Sequence, residues 1–202
     1  MRFRLLLAIT LLAGCTQRLG DEGTSSAGTG GAKTWGPVTL RPGYYKAETL
    51  PIVLLADGDP ATVRFASQGG YAMFVGARAS GLDAGPALVR SELVNPEDGV
   101  ALVSDARPVE LIPSSDGSGD VEPDNQSSAS FSHLVTCPNY SSRPLHGVEW
   151  RLSVTLSDPQ AAARSGTSSV RVIPTCAPGS RYLKCLCECE PDYYLGKCGA
   201  EH

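Results

Sequence analysis

Short apolar segments separated by turn residues fill the chain from residue 35 to residue 176, and this pattern constrains the fold more than any other feature. The sequence contains 22 Gly and 15 Pro among 202 residues, a content that favours strands and turns over a helical bundle. About ten segments at a spacing of roughly 8–15 residues predict an antiparallel β-sandwich. The predicted strands are 38–40, 51–56, 62–66, 71–79, 88–94, 100–104, 109–112, 131–137, 148–156 and 168–173.

Composition and charge argue against several classes of protein. Hydrophobic residues make up 42% of the chain, which is enough for a packed core, so extensive disorder is excluded. The formal net charge of −4 argues against nucleic acid as a partner. After residue 14 no apolar run approaches the length of a membrane-spanning helix, so we expect none in the mature chain.

The N-terminal residues predict export followed by lipid attachment. Arg2 and Arg4 precede an apolar run at 5–13, which is the arrangement of a signal peptide. The segment that follows, Leu12-Ala13-Gly14-Cys15, resembles the lipobox of bacterial lipoproteins. That resemblance implies removal of residues 1–14, lipidation of Cys15 and attachment to a membrane through the lipid. The alternative is an ordinary secretory signal in which the cysteine is incidental.

The segment after the lipobox predicts a spacer between the lipid and the folded part. Residues 15–34 are rich in Gly, Ser and Thr, and we expect them to form a flexible tether. Thr16 stands where an Asp would oppose outer-membrane sorting in Gram-negative lipoproteins, so the resemblance implies an outer-membrane location in the cell envelope.

A short motif at the head of a long predicted strand carries a second resemblance. Gln68-Gly69-Gly70-Tyr71, in the context of residues 50–112, is similar to uncharacterised secreted lipoproteins of myxobacteria and related bacteria. The resemblance implies an immunoglobulin-like β-sandwich for residues 35–176 and no known activity. From the residues themselves, the two glycines favour a structural turn before the strand.

Six cysteines remain when Cys15 is set aside, an even number that predicts three disulfide bonds in an exported protein. Bridges inside the run Cys185-Leu186-Cys187-Glu188-Cys189 would form strained rings. If such bridges are excluded, the fifteen conceivable pairings fall to six. Thiolate binding of zinc or copper is the alternative, which export disfavours. The cysteines concerned are Cys137, Cys176, Cys185, Cys187, Cys189 and Cys198.

Residues 177–202 form a Cys-rich tail, whose segment 187–198 resembles the C-terminal half of an EGF-like module. In that family the last two cysteines pair, which implies a Cys189–Cys198 bridge. The remaining two bridges would then join Cys137 and Cys176 to the other two tail cysteines and staple the tail to the sandwich.

The sequence predicts no catalytic residues and no cofactor. Its three histidines are His133, in a predicted strand, His146, in a predicted loop, and His202. The motifs H-E-x-x-H and G-x-S-x-G and a phosphate-binding Gly loop with Lys are absent from the sequence.

An acidic segment at 114–128 places oxygen ligands at every second position, as some calcium loops do. A solvated acidic connector is the favoured interpretation, because Val121 stands where an EF-hand loop has Gly. A weak calcium site formed by Asp116, Asp120 and Glu122 is the alternative.

The two tryptophans, Trp35 and Trp150, are candidate ligand platforms. Trp150 alternates with Leu152 and Val154, a pattern that favours a position in the core.

Two classes of function remain. The first is a non-enzymatic binding or interaction module of the cell envelope, whose partner is an envelope or extracellular protein or a glycan. The second is an envelope hydrolase of unknown substrate.

Overall fold

The computed structural model describes residues 36–46, 51–126, 130–161 and 163–199. Cys15, the predicted tether, Trp35 and His202 lie outside these residues. The elements are β1 (Thr39–Tyr45), β2 (Ile52–Leu54), β3 (Asp59–Phe65), β4 (Tyr71–Ser80), β5 (Gly85–Val94), β6 (Ala101–Pro113), β7 (Val121–Pro123), β8 (Ser132–Cys137), β9 (Trp150–Ser157), β10 (Ser165–Cys176) and α1 (Tyr182–Glu188).

Seven strands close into a β-barrel in the order β4-β3-β10-β9-β5-β6-β7. The pairing of Ala79 with Val121 joins β7 back to β4 and completes the ring. Neighbours in the ring are antiparallel, except that β3 and β10 run parallel. The strands β1 and β8 also pair with β4, and β2 pairs with β1.

The expected immunoglobulin-like antiparallel β-sandwich is therefore wrong. Short strands at regular spacing are typical of both sandwiches and barrels, so the spacing does not separate the two. The long strand β6 distinguishes the barrel from the expected sandwich, because its 13 residues join 109–112 with all but the first residue of 100–104, which were expected as separate strands. It pairs with β5 along most of its length and with β7 at its end, and β7 carries the sheet round to β4.

Alternate residues of the barrel strands fill its interior. From β9, Trp150, Leu152, Val154 and Leu156 are each at most 1% exposed. The core position predicted for Trp150 is confirmed, and its indole Nε1 donates a hydrogen bond to the Pro144 carbonyl oxygen at 3.2 Å.

The opposite face of β4 is also buried, beneath a second apolar cluster outside the barrel. Phe131 stacks on Tyr45 at 4.6 Å between ring centroids and lies 5.5 Å from Phe74. Burial raises the pKa of Tyr45, and its protonated hydroxyl donates a hydrogen bond to the Pro123 carbonyl oxygen at 3.1 Å. The cluster explains why successive residues of β4 are apolar on both faces.

The Gln-Gly-Gly motif forms a turn that leads into β4. Gly70 has φ +75°, and a Cβ at this position would lie 2.6 Å from the carbonyl oxygen of Cys137. A side chain there would push β8 away from the start of β4, so close approach of two backbones requires glycine.

The Cys-rich C-terminal region is present, and its four cysteines are all paired, as are Cys137 and Cys176, as predicted. No bridge falls inside the run 185–189, also as predicted. One bridge binds the region to β10 of the barrel, one binds it to β8, which pairs with β4, and the third closes a loop within the tail. The bonds are Cys137–Cys189, Cys176–Cys185 and Cys187–Cys198.

The Cys189–Cys198 pairing implied by the EGF-like resemblance is wrong. The reason is α1, a helix that the sequence analysis did not predict. Residues four apart on a helix share a face, so Cys185 and Cys189 both face the barrel, each 1% exposed. Cys187 lies on another side of the helix and is left to pair with Cys198.

Candidate binding cleft

A tight turn after β5 forms one wall of an open cleft. The side chain of Asn95 accepts a hydrogen bond from the Glu97 backbone N–H at 3.0 Å and donates one to Asp98 Oδ2 at 2.9 Å. Asp98 Oδ1 accepts the Val100 backbone N–H at 2.8 Å. The Asn-Pro-Glu-Asp-Gly sequence thus folds as an Asx-type turn that fixes both polar side chains.

The loop between β8 and β9 forms the other wall, and Asn139 holds it in shape. Asn139 is 0% exposed. Its Oδ1 accepts hydrogen bonds from the backbone N–H and the hydroxyl of Ser141, at 3.0 and 2.7 Å. Its Nδ2 donates to the carbonyl oxygens of Arg143 and Cys189, at 2.9 and 3.3 Å. A buried amide with these bonds fixes the loop as an ordered strap.

The tail reinforces this loop from outside. The backbone N–H groups of Asp192 and Tyr193 donate to the carbonyl oxygens of Ser141 and Asn139, at 2.9 and 3.0 Å. The Cys137–Cys189 bridge lies just before the loop. The disulfide-bonded tail therefore serves as a support for the cleft wall.

The cleft has a volume of about 320 Å³, at the lower end of the range for small-molecule sites. Its lining combines apolar, aromatic and polar side chains. The lining residues are Asn95, Asp98, Val100, Ala101, Leu102, Tyr140, Ser141, Ser142, Arg143 and Trp150.

Two large apolar or aromatic side chains of the lining are exposed, and the charge of a third lining residue is paired within the protein. Tyr140 is 70% exposed and Val100 62%. The guanidinium of Arg143 lies 5.5 Å from the ring centre of Trp150 and forms an ion pair with Glu97 at 2.6 Å. The positive charge of Arg143 is thus balanced within the protein.

The three carboxylates of the predicted calcium site are held by arginines on the outer face of the barrel. Arg78 pairs with Glu122 at 2.9 Å and with Asp116, and Arg41 pairs with Asp120 at 2.8 Å. Hydrogen bonds from the hydroxyls of Ser114 and Ser118 lower the pKa of Asp116. These guanidinium groups pair with carboxylate oxygens that a calcium ion would need as ligands. Calcium binding at this position stays a prediction.

Within the described residues, one group of three potential metal ligands brings its donor atoms within 4.8 Å, namely Cys176, Cys185 and Cys189. All three sulfurs are bonded in disulfides. The oxidised form shown here offers no thiolate at this position.

The two histidines in the described part of the chain lie away from the cleft lining. His133 is in β8, with its ring 4.9 Å from Phe74 and 5.3 Å from Phe131. His146 is in the loop before β9, 6.4 Å from the Tyr182 ring, with Nε2 buried and without a hydrogen-bond partner in the described part of the chain. Their strand and loop positions are as predicted.

The cleft residues Tyr140, Arg143, Asn95 and Asp98 were not predicted from the sequence. One signal in the sequence could have indicated Tyr140. It is an aromatic residue in the polar segment Pro138-Asn139-Tyr140-Ser141-Ser142, and this segment lacks the alternation of apolar and polar residues by which a strand would bury the ring. The pairing of two distant loops across one cleft had no local signal.

Comparison of the chain with known protein families and with curated proteins gives no match. No helix in the described part of the chain combines the length and the apolar character that a membrane crossing requires.

Proposed function

We propose that this protein is a lipid-anchored lipoprotein of the cell envelope, held in the outer membrane, whose barrel is a non-enzymatic binding module. Its partner is an envelope or extracellular protein or glycan that enters the cleft. The observation that carries the proposal is an exposed aromatic side chain, Tyr140, on a loop whose shape is fixed by a buried amide and a disulfide. Side chains held in place before binding lose little entropy when a partner arrives.

The anchor is inferred from the sequence alone. The basic residues, the apolar run and the Leu-Ala-Gly-Cys motif support lipidation of Cys15. Three disulfides in the described region agree with an oxidising compartment. The two lines of support are independent of each other.

An envelope hydrolase is the alternative function. Ser141 is in the cleft, but its hydroxyl donates to Asn139 Oδ1 at 2.7 Å and so maintains the loop. A nucleophilic serine requires a base that accepts its proton. The use of this hydroxyl within the loop favours binding over hydrolysis. Turnover of ester, peptide or glycan substrates by the purified full chain, lost when Ser141 is replaced by Ala, would instead establish the hydrolase.

Lipid attachment is tested by metabolic labelling with an alkyne-bearing palmitate. The full chain should incorporate the label, and Cys15→Ser should not. Equal labelling of both chains contradicts the anchor.

Partner binding is tested by photo-crosslinking in intact cells that express the full chain. A photoreactive phenylalanine analogue replaces Tyr140 in one chain and Tyr194 in the control, a tyrosine that is 66% exposed and outside the cleft lining. Adducts that form at position 140 and not at 194 support the binding module. Absence of adducts at 140, or equal adducts at both positions, contradicts it.

A further inference from the structure

The side chain of Tyr140 is exposed, yet its ring is held in place by contacts within the protein. Its ring meets that of Tyr193 edge-to-face, at 5.8 Å and 76°. The backbone on either side is tied to the tail and to Asn139. An aromatic ring that is both exposed and fixed gives a flat apolar platform for a ligand at small entropic cost.

Planar polar groups face the same cleft. Asn95 and Asp98 are oriented by the turn that they build, with one amide hydrogen of Asn95 given to Asp98. A primary amide has a second hydrogen, and a carboxylate can accept about four hydrogen bonds. Both side chains therefore keep capacity for a ligand that offers donors and acceptors together, as a hydroxyl does.

The charge of the lining selects against anions. Arg143 is neutralised by Glu97, which leaves the Asp98 carboxylate as the uncompensated charge among the lining residues. An anionic ligand would be repelled by this carboxylate, whereas a hydroxyl would donate to it in a charge-assisted hydrogen bond.

We propose that the cleft binds the ring of a neutral saccharide, stacked on Tyr140 and hydrogen-bonded through its hydroxyls to Asp98 and Asn95. The proposal rests on the binding function proposed above and names its ligand class. A sugar ring has an apolar C–H face and an equatorial rim of hydroxyls, and the cleft presents an aromatic platform beside a carboxylate and an amide. A cleft of about 320 Å³ admits a small ligand of this kind.

The test is calorimetric titration of the full chain in detergent with cellobiose, maltose and the disaccharide of N-acetylglucosamine. At least one should bind. Tyr140→Ala should weaken that binding by about tenfold or more, as expected for loss of an aromatic anchor. Asp98→Asn, which keeps an amide oxygen in the turn, should also weaken it. The matched control Tyr194→Ala should leave the affinity unchanged.

Three outcomes overturn the proposal. The first is no binding of any of the three disaccharides at millimolar concentration. The second is equal affinity in Tyr140→Ala and the parent chain. The third is tighter binding of choline or of galacturonic acid, which are the cationic and anionic probes. If the disaccharides fail while crosslinking at position 140 succeeds, the saccharide assignment falls and the binding module stands.

Discussion

The sulfur atoms of Cys185, in α1, and Cys189, at the C-cap of that helix, lie 3.8 Å apart, yet they belong to different disulfides. Cys185 bonds to Cys176 at the end of β10, and Cys189 bonds to Cys137 at the end of β8. The short helix thus ties together two strands that do not pair with each other. The connectivity of the tail follows from helical spacing and not from the order of the cysteines along the chain.

Peptide mapping of the non-reduced protein should find Cys187 joined to Cys198. The physical reason is the position of Cys187 on the side of α1 away from the barrel. Digestion between the cysteines followed by mass spectrometry identifies the linked peptides. Recovery of a Cys189–Cys198 peptide would contradict the helical arrangement and restore the EGF-like pairing.

Loss of the Cys137–Cys189 bridge should destabilise the protein more than loss of Cys187–Cys198. The two bridges close sequence separations of 52 and 11 residues. In the chain-entropy model these are worth about 4 and about 3 kcal/mol, and both cysteines of the first bridge belong to the buried core. Thermal melts of Cys137→Ser/Cys189→Ser and Cys187→Ser/Cys198→Ser measure the difference. Equal losses in Tm would show that the long bridge stabilises the protein no more than the short one.

Gly70→Ala should be strongly destabilising, and Gly69→Ala provides the matched control. Both residues have positive φ, so each substitution carries a backbone penalty of about 1–2 kcal/mol. A Cβ at position 69 meets nothing within 4 Å, whereas one at position 70 meets Cys137 O at 2.6 Å. Denaturant unfolding should therefore rank Gly70→Ala well below Gly69→Ala. The same free energy of unfolding for both variants would contradict the close approach.

Local patterns in the sequence predicted the strand-rich character, the core position of Trp150 and the oxidation of six cysteines. Each of these depends on residues within a few positions or on a simple count. Closure of the barrel depends on which strands pair, as between Ala79 and Val121, and no local pattern carries that information.

The cleft was not predicted for a similar reason. Tyr140 and Asp98 are distant in sequence and line the same cleft because β5, β6 and β9 are neighbours in the barrel. Single turns could be recognised from Asn, Pro and Gly, but the space between two turns is a property of the tertiary structure. The helix α1 was not predicted because the tail was interpreted through its resemblance to half of an EGF-like module.

Removing one partner of the buried ion pair between Arg78 and Glu122 should destabilise the fold more than removing both. Both side chains are about 10% exposed or less. Arg78→Met leaves a buried carboxylate without its cation and should lower the free energy of unfolding by about 3–5 kcal/mol. Arg78→Met/Glu122→Leu should recover part of that loss, because a well-packed apolar pair can replace a buried ion pair.

Arg171→Met is the control for that series. Arg171 pairs with Asp57 at 3.1 Å, and both side chains are more than half exposed. Since solvent screens exposed pairs, its effect in urea unfolding should be small and should fall further with added salt. Two results would contradict the distinction between buried and exposed ion pairs. One is a loss of stability in Arg171→Met as large as that in Arg78→Met, and the other is no recovery in Arg78→Met/Glu122→Leu.

Asp105 should make stability depend on acid pH. Its carboxylate joins β6 to β8 by accepting hydrogen bonds from Arg107, Ser132 Oγ at 2.9 Å and the His133 backbone N–H at 3.0 Å. Partial burial alone would raise its pKa, but these hydrogen bonds outweigh burial and hold the pKa of Asp105 below its ordinary value. Because the folded pKa lies below the unfolded one, the ionised carboxylate stabilises the fold fully above the unfolded pKa of about 3.9. That contribution is lost as the pH falls through the folded pKa.

Asp105→Asn should therefore be less stable than the parent at pH 7 in urea unfolding, with the difference shrinking below about pH 4. If the difference in free energy of unfolding between Asp105→Asn and the parent stayed constant with pH, the loss would come from the altered hydrogen bonding of the amide and not from the missing charge.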